Sequence, residues 1–93
     1  MIRIGVLGAG HLGKIHIRLI LELKEVYEFI GFYDPSEKIR TDVAAQFNCK
    51  SFDNIDELIL QCDALDIVTP TLSHYECASR CMKNFKHIFI EKP

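Results

Sequence analysis

The stretch Ile2–Gly13, IRIGVLGAGHLG, restricts the fold of this chain more than any other. A β-type apolar run, Ile2–Leu7, leads straight into Gly8-x-Gly10-x-x-Gly13, and a helical periodicity starts at once behind it. Each glycine has a physical task in such a turn. Gly8 makes the tight bend, Gly10 lets backbone approach a pyrophosphate, and Gly13 lets the helix lie close on the strand. Unbonded N–H groups and the helix dipole at the start of that helix favour a phosphate's charge. A glycine triplet alone is a weak signal, and its bland reading is a plain turn. Its seat between a strand and a helix is what makes it a candidate nucleotide site.

The rest of the chain repeats the alternation. Leu12, Ile15, Leu19, Ile20 and Leu23 recur at helical spacing and predict an amphipathic helix with that stripe inward. Phe29–Tyr33 reads as a strand closing on Asp34-Pro35. The next helix is expected to take Asp34 as N-cap, Pro35 as its first residue and Glu37 to complete a capping box. Ile39, Val43 and Phe47 form its inner face. Lys50-Ser51-Phe52 is a short edge strand. Asn54 and Glu57 form a second box, opening a brief helix with Ile55, Leu58, Ile59 and Cys62 inward. Leu65–Val68 is a strand ending at Thr69-Pro70-Thr71. Ser73 and Glu76 then start a helix burying Ala78, Met82 and Phe85, and His87–Ile90 is the last strand. Alternating strands and helices imply a parallel sheet, an α/β fold. Right-handed crossovers give the strand order 3-2-1-4-5, doubly wound, with helices on both faces. With 93 residues the chain is one domain, 1–93.

Composition removes several functions. A formal charge of -2 gives no basic field for a nucleic acid, and no basic stripe is present. Apolar runs are far short of the ~20 residues that span a bilayer. The N-terminus enters a strand pattern directly, without signal-peptide architecture, so a cytoplasmic location is expected. Cys49, Cys62, Cys77 and Cys81 lack a second close Cys/His pair that would complete a metal site. They are read as reduced, small core hydrophobes, with no metal.

In such a sheet, ligands bind beyond the carboxyl ends of the strands, where the strand order reverses. That rule selects the loops after Leu7, Tyr33 and Val68, and the end of the fifth strand. Asp34 follows Gly13 by twenty-one residues, at the end of the second strand. A carboxylate there bonds adenosine ribose hydroxyls and repels a 2'-phosphate, which favours NAD over NADP. Its competing role is the helix cap. Thr69-Pro70-Thr71-x-x-His74 faces the same crevice; the alternative for His74 is an ordinary surface histidine. Glu91-Lys92-Pro93 is either a solvated strand end or an acid and a lysine placed at the same edge as the phosphate and ribose features. A lysine beside a cationic nicotinamide could act as proton donor or electrostatic anchor. A cis bond before Pro93 would need a specific reason, since only ~5–6% of X-Pro bonds are cis.

Together, "GVLGAGHLGKIH", "GFYDPS", "DIVTPTLSH" and "KHIFIEKP" resemble the N-terminal half of the Gfo/Idh/MocA oxidoreductase family. The likeness covers essentially the whole chain, and the terminal EKP is its most specific part. It implies a Rossmann domain binding NAD(H) or NADP(H), followed by a larger domain that this chain does not carry. By position, the resemblance puts Gly8, Gly10 and Gly13 at the pyrophosphate, with backbone N–H groups from His11 and Leu12. It puts Asp34 at the adenosine ribose and Thr69, Pro70 and His74 on the nicotinamide side. Glu91 falls at the nicotinamide ribose, and Lys92 faces the reacting carbon as the catalytic residue. The implied reaction is hydride transfer to or from a sugar, polyol or related carbonyl, in a homo-oligomeric parent protein. The chain alone is expected to bind cofactor without turning over. The rivals are a stand-alone dinucleotide-binding module or redox sensor, and a relative that uses bound NAD transiently to cleave glycosides. One departure is Asn84-Phe85 where the family usually has glycine; Asn84 is expected to cap the helix.

Overall fold

The computed structural model describes residues 1–69, 77, 79–81 and 87–90. In chain order the elements are β1 (Ile2–Leu7), α1 (His11–Glu22), β2 (Tyr27–Tyr33), α2 (Glu37–Phe47), β3 (Ser51–Phe52), α3 (Ile55–Gln61), β4 (Ala64–Ile67) and β5 (His87–Ile90). Cys77 and residues 79–81 are helical. The strands form one sheet in the order β3-β2-β1-β4-β5, and every pairing is parallel. This is the expected doubly wound α/β topology. The order reverses at β1, between β2 and β4, and that is where a crevice opens at the carboxyl edge.

Two cores lie on opposite faces of the sheet. Ile17 and Ile20 of α1 and Val43 of α2 pack with Ile4, Val6, Phe32 and Ala64 on one face. Leu58 and Ile59 of α3, with Cys62, Cys77 and Cys81, pack with Leu7, Phe52, Leu65 and Ile67 on the other. Successive strand residues point to opposite faces, so Ala64 and Leu65 separate cleanly into the two cores. Each fully buried Leu, Ile or Phe contributes about 1.5–3 kcal/mol relative to exposure. All four cysteines are thiols, three of them buried.

Two sequence expectations are corrected. Of the expected stripe Leu12, Ile15, Leu19, Ile20 and Leu23, only Ile20 is buried, and the inward stripe of α1 is Gly13, Ile17 and Ile20. Leu12, Leu19 and Leu23 are 38%, 49% and 50% exposed. Both stripes have helical spacing, so periodicity could not choose between them; the contact of Gly13 with the glycine turn sets the rotation. The second correction concerns α2. Ser36, not Asp34, is its N-cap, accepting the Ile39 N–H, and Pro35 lies outside the helix. Asp34 has other partners. The Asn54 cap is as expected, its side chain accepting the N–H groups of Asp56 and Glu57. Ser73, Glu76, Ala78, Met82, Asn84, Phe85 and Pro93 lie outside the described residues. No described helix is long and apolar enough to cross a membrane.

Candidate functional site

Gly8 stands at the centre of the carboxyl edge. Its φ of +101° is a conformation L side chains rarely adopt. Its N–H donates to the Tyr33 carbonyl at 2.8 Å, tying the turn to the end of β2. On the other side, a Cβ on Gly8 would meet the Thr69 backbone nitrogen at 2.9 Å. Val68 N–H donates to the Leu7 carbonyl at 2.8 Å, so β4 is held against the same point. A Cβ on Gly13 would collide with the Gly8 carbonyl oxygen. Helix α1 therefore starts as close to β1 as backbone allows.

Gly10 is different. It is the N-cap of α1, makes no side-chain cap bond, and has nothing within 4 Å of where its Cβ would be. The first N–H groups of a helix have no partner within the helix. Here they lie beside an open space, with His11 and Leu12 exposed next to it. That combination of donors, dipole and room suits an anion with two phosphates.

Asp34 closes the second side. It is buried, and its Oδ2 accepts the Ala9 N–H at 2.9 Å while Oδ1 accepts the Ser36 N–H at 2.9 Å. Arg40 Nη1 donates to the Asp34 carbonyl oxygen at 2.8 Å. The carboxylate is thus fixed against the glycine turn rather than spent on a helix cap. A carboxylate has about four acceptor sites, so two remain for hydroxyl donors. Thr69 lies at the third side; its Oγ1 is buried and finds no hydrogen-bond partner among the described residues. Such an orphaned hydroxyl is uncommon and fits an edge that receives a polar ligand. The open cradle over Gly10, the anchored carboxylate and this hydroxyl together suit a dinucleotide.

Of the residues singled out in the sequence, Gly8, Gly10, His11, Leu12, Gly13, Asp34 and Thr69 therefore gather at one edge. Pro70, His74, Glu91 and Lys92 lie outside the described residues. β5 ends at Ile90, level with Ile67 of β4. Among the described residues no His, Cys, Asp and Glu side chains assemble into a group of three or more that could hold a metal. A surface hollow of about 520 Å³, lined by Ile20, Leu21, Lys24, Tyr27 and Phe29, lies at the C-terminal end of α1, away from this edge.

Sequence reasoning passed over two features. The bond from Arg40 to the Asp34 backbone has no local signal in the sequence. His16 was given no role, yet its Nδ1 lies 2.5 Å from Asp66 Oδ2, with both side chains largely buried. The available signal was Asp66 itself, a charge within the otherwise apolar strand ALDI.

The model of an oxidoreductase family with an NAD-binding Rossmann fold, GFO_IDH_MocA, matches residues 2–93. The chain belongs to the Gfo/Idh/MocA family. Among curated members, it is 36% identical over 91 residues to UDP-N-acetylglucosamine 3-dehydrogenase of Acidithiobacillus ferrooxidans, covering 98% of this chain and 28% of that protein. It is 33% identical to glucose-6-phosphate 3-dehydrogenase of Bacillus subtilis, covering 100% of this chain and 26% of that protein. A solved structure of the Acidithiobacillus enzyme superposes with a TM-score of 0.90 at 36% identity, over 99% of this chain and 30% of that one. The WlbA dehydrogenase of Bordetella pertussis, solved with NADH and UDP-GlcNAcA, gives 0.88 at 26% identity, over 99% and 29%. The chain thus spans less than a third of the length of these Gfo/Idh/MocA relatives.

Proposed function

We propose that this chain holds NAD(H) along the edge formed by Gly8–Gly13, Asp34 and Thr69. We further propose that it is the cofactor-binding part of an oxidoreductase acting on a sugar, polyol or related carbonyl. The observation that carries the reading is the convergence at Gly8. The turn is bonded to β2, backed by β4, and open above Gly10. The family and the two sugar dehydrogenases among the relatives support the substrate class.

In this reading the N–H groups of His11, Leu12 and Gly13 hold the pyrophosphate, and Asp34 accepts the adenosine ribose hydroxyls. The anchored Asp34 carboxylate favours NAD, because it cannot swing away from a 2'-phosphate. Thr69, Pro70 and His74 line the nicotinamide side, Glu91 holds the second ribose, and Lys92 holds a proton at the substrate oxygen. The nicotinamide, when bound, supplies the hydride acceptor or donor. Residues 1–93 supply the dinucleotide site, and the substrate's own contacts come from a further domain of the kind that makes up the rest of the relatives. The four thiols support a cytoplasmic location.

Calorimetric titration of the folded chain with NADH and NADPH tests this directly. NADH is expected to bind, and more tightly than NADPH. A folded chain that takes up no NADH even at millimolar concentration would sink the reading. Asp34→Ser should narrow the difference between the two cofactors by about tenfold, one 1.4 kcal/mol step. Unchanged discrimination would remove Asp34 from the ribose.

A further inference from the structure

Asp66 sits in β4 between Leu65 and Ile67, each fully buried in the α3-side core. The pleat turns it the other way, to the face of Ala64 and α1. There its Oδ2 lies 2.5 Å from His16 Nδ1, with the two side chains 11% and 19% exposed. A carboxylate at that depth needs a hydrogen-bonded partner. Yet a buried polar pair is a poor means of stabilising a fold, since apolar residues of similar volume often do as well or better. The position of the pair suggests what else it does. His16 lies one turn beyond Gly13 on the helix that begins at the glycine turn. Asp66 lies two residues before Val68, whose N–H bonds the Leu7 carbonyl, and three before Thr69, whose backbone abuts Gly8. The hydrophobic contacts of α1 through Ile17 and Ile20 are non-directional. A short charge-assisted bond is directional.

We propose that His16 is a positioning residue for the dinucleotide. Through Asp66 it fixes the separation between the helix that carries the pyrophosphate turn and the strand that carries the Thr69 loop. The two halves of the cofactor are held by these two elements, so the pair sets how well the nicotinamide end seats. The adenosine end, held by Asp34 and the glycine turn, is indifferent to it. This rests on the NAD(H) reading above.

The test compares NADH with ADP-ribose, which lacks only the nicotinamide, by calorimetry on the full chain. The unmodified chain should bind both; if it binds neither, the dinucleotide reading itself fails. In the double variant His16→Leu/Asp66→Val the thermal midpoint should be unchanged or raised. NADH affinity should fall by about tenfold while ADP-ribose stays within about twofold. Asp66→Asn, which keeps a hydrogen-bonding partner for the imidazole, should retain NADH binding within about threefold. Equal loss of both ligands, or no loss of either, overturns the proposal. If the double variant does not fold, the unmodified chain decides. Its His16 imidazole resonances, assigned by their absence in His16→Gln, should move on adding NADH and not on adding ADP-ribose. Identical movement with both ligands overturns the proposal as well.

Discussion

Gly10 and Gly13 share a motif but answer to different physics. At Gly13 the conflict is internal, because any Cβ would strike the Gly8 carbonyl. Gly13→Ala must push α1 away from β1, and overpacking of that kind costs about 1–3 kcal/mol or more. At Gly10 the space is empty, so Gly10→Ala should leave the folded chain intact, the entropy saved in the unfolded chain roughly offsetting the poorer N-cap. The added methyl would instead occupy the room proposed for phosphate. Thermal unfolding and NADH titration of both variants separate the two cases. Gly13→Ala should lower the midpoint clearly, and Gly10→Ala should keep the midpoint and lose most NADH binding. If Gly10→Ala binds NADH like the unmodified chain, the phosphate is not over Gly10.

At the scale of elements, the rotation of α1 is the feature that matters most to the site. Ile17 is fully buried and Leu19 is half exposed, although both belong to apolar series at helical spacing. Ile17→Ala should cost ~2–5 kcal/mol and Leu19→Ala within about 0.5 kcal/mol, measured by urea unfolding. Equal costs would mean the helix is rotated from the position described. The cap of α2 allows a similar check. Ser36→Ala should cost about 1 kcal/mol, with no change in the preference between NADH and NADPH, since the Asp34 carboxylate is held by the backbone N–H groups of Ala9 and Ser36, which the substitution leaves in place. The alternation of elements was legible in the sequence because strand runs, glycine turns and capping boxes are local signals. So was the strand order, which follows from crossover handedness. The Ser36 cap, the face of α1 and the His16–Asp66 pair were not legible. Each depends on where an element docks, and residues fifty apart, such as His16 and Asp66, give no local sign of meeting.

Over the whole molecule, the sheet separates two cores of different chemistry. Cys62, Cys77 and Cys81 all lie in the core beneath α3, while the α1–α2 core has only Cys49 at its margin. Burial pushes the Cys81 thiol up from 9.0 to about 11, with the neighbouring Cys77 adding to the shift. Burial also raises Cys49. A thiol whose folded pKa exceeds its unfolded value makes the unfolded chain lose its proton first as pH rises. The unfolded state then binds fewer protons than the native state, so stability falls with increasing pH. The contribution is complete below pH 9.0 and declines through about 11. Urea midpoints measured across that interval under reducing conditions should therefore drop, beyond what tyrosine and lysine ionisation contribute. Cys81→Ala supplies the control. It should be less stable at neutral pH, through the cavity left behind, but its alkaline slope should be shallower than that of the unmodified chain. An identical slope would show that Cys81 ionises as easily in the folded chain as in the unfolded one, and that the core beneath α3 admits water.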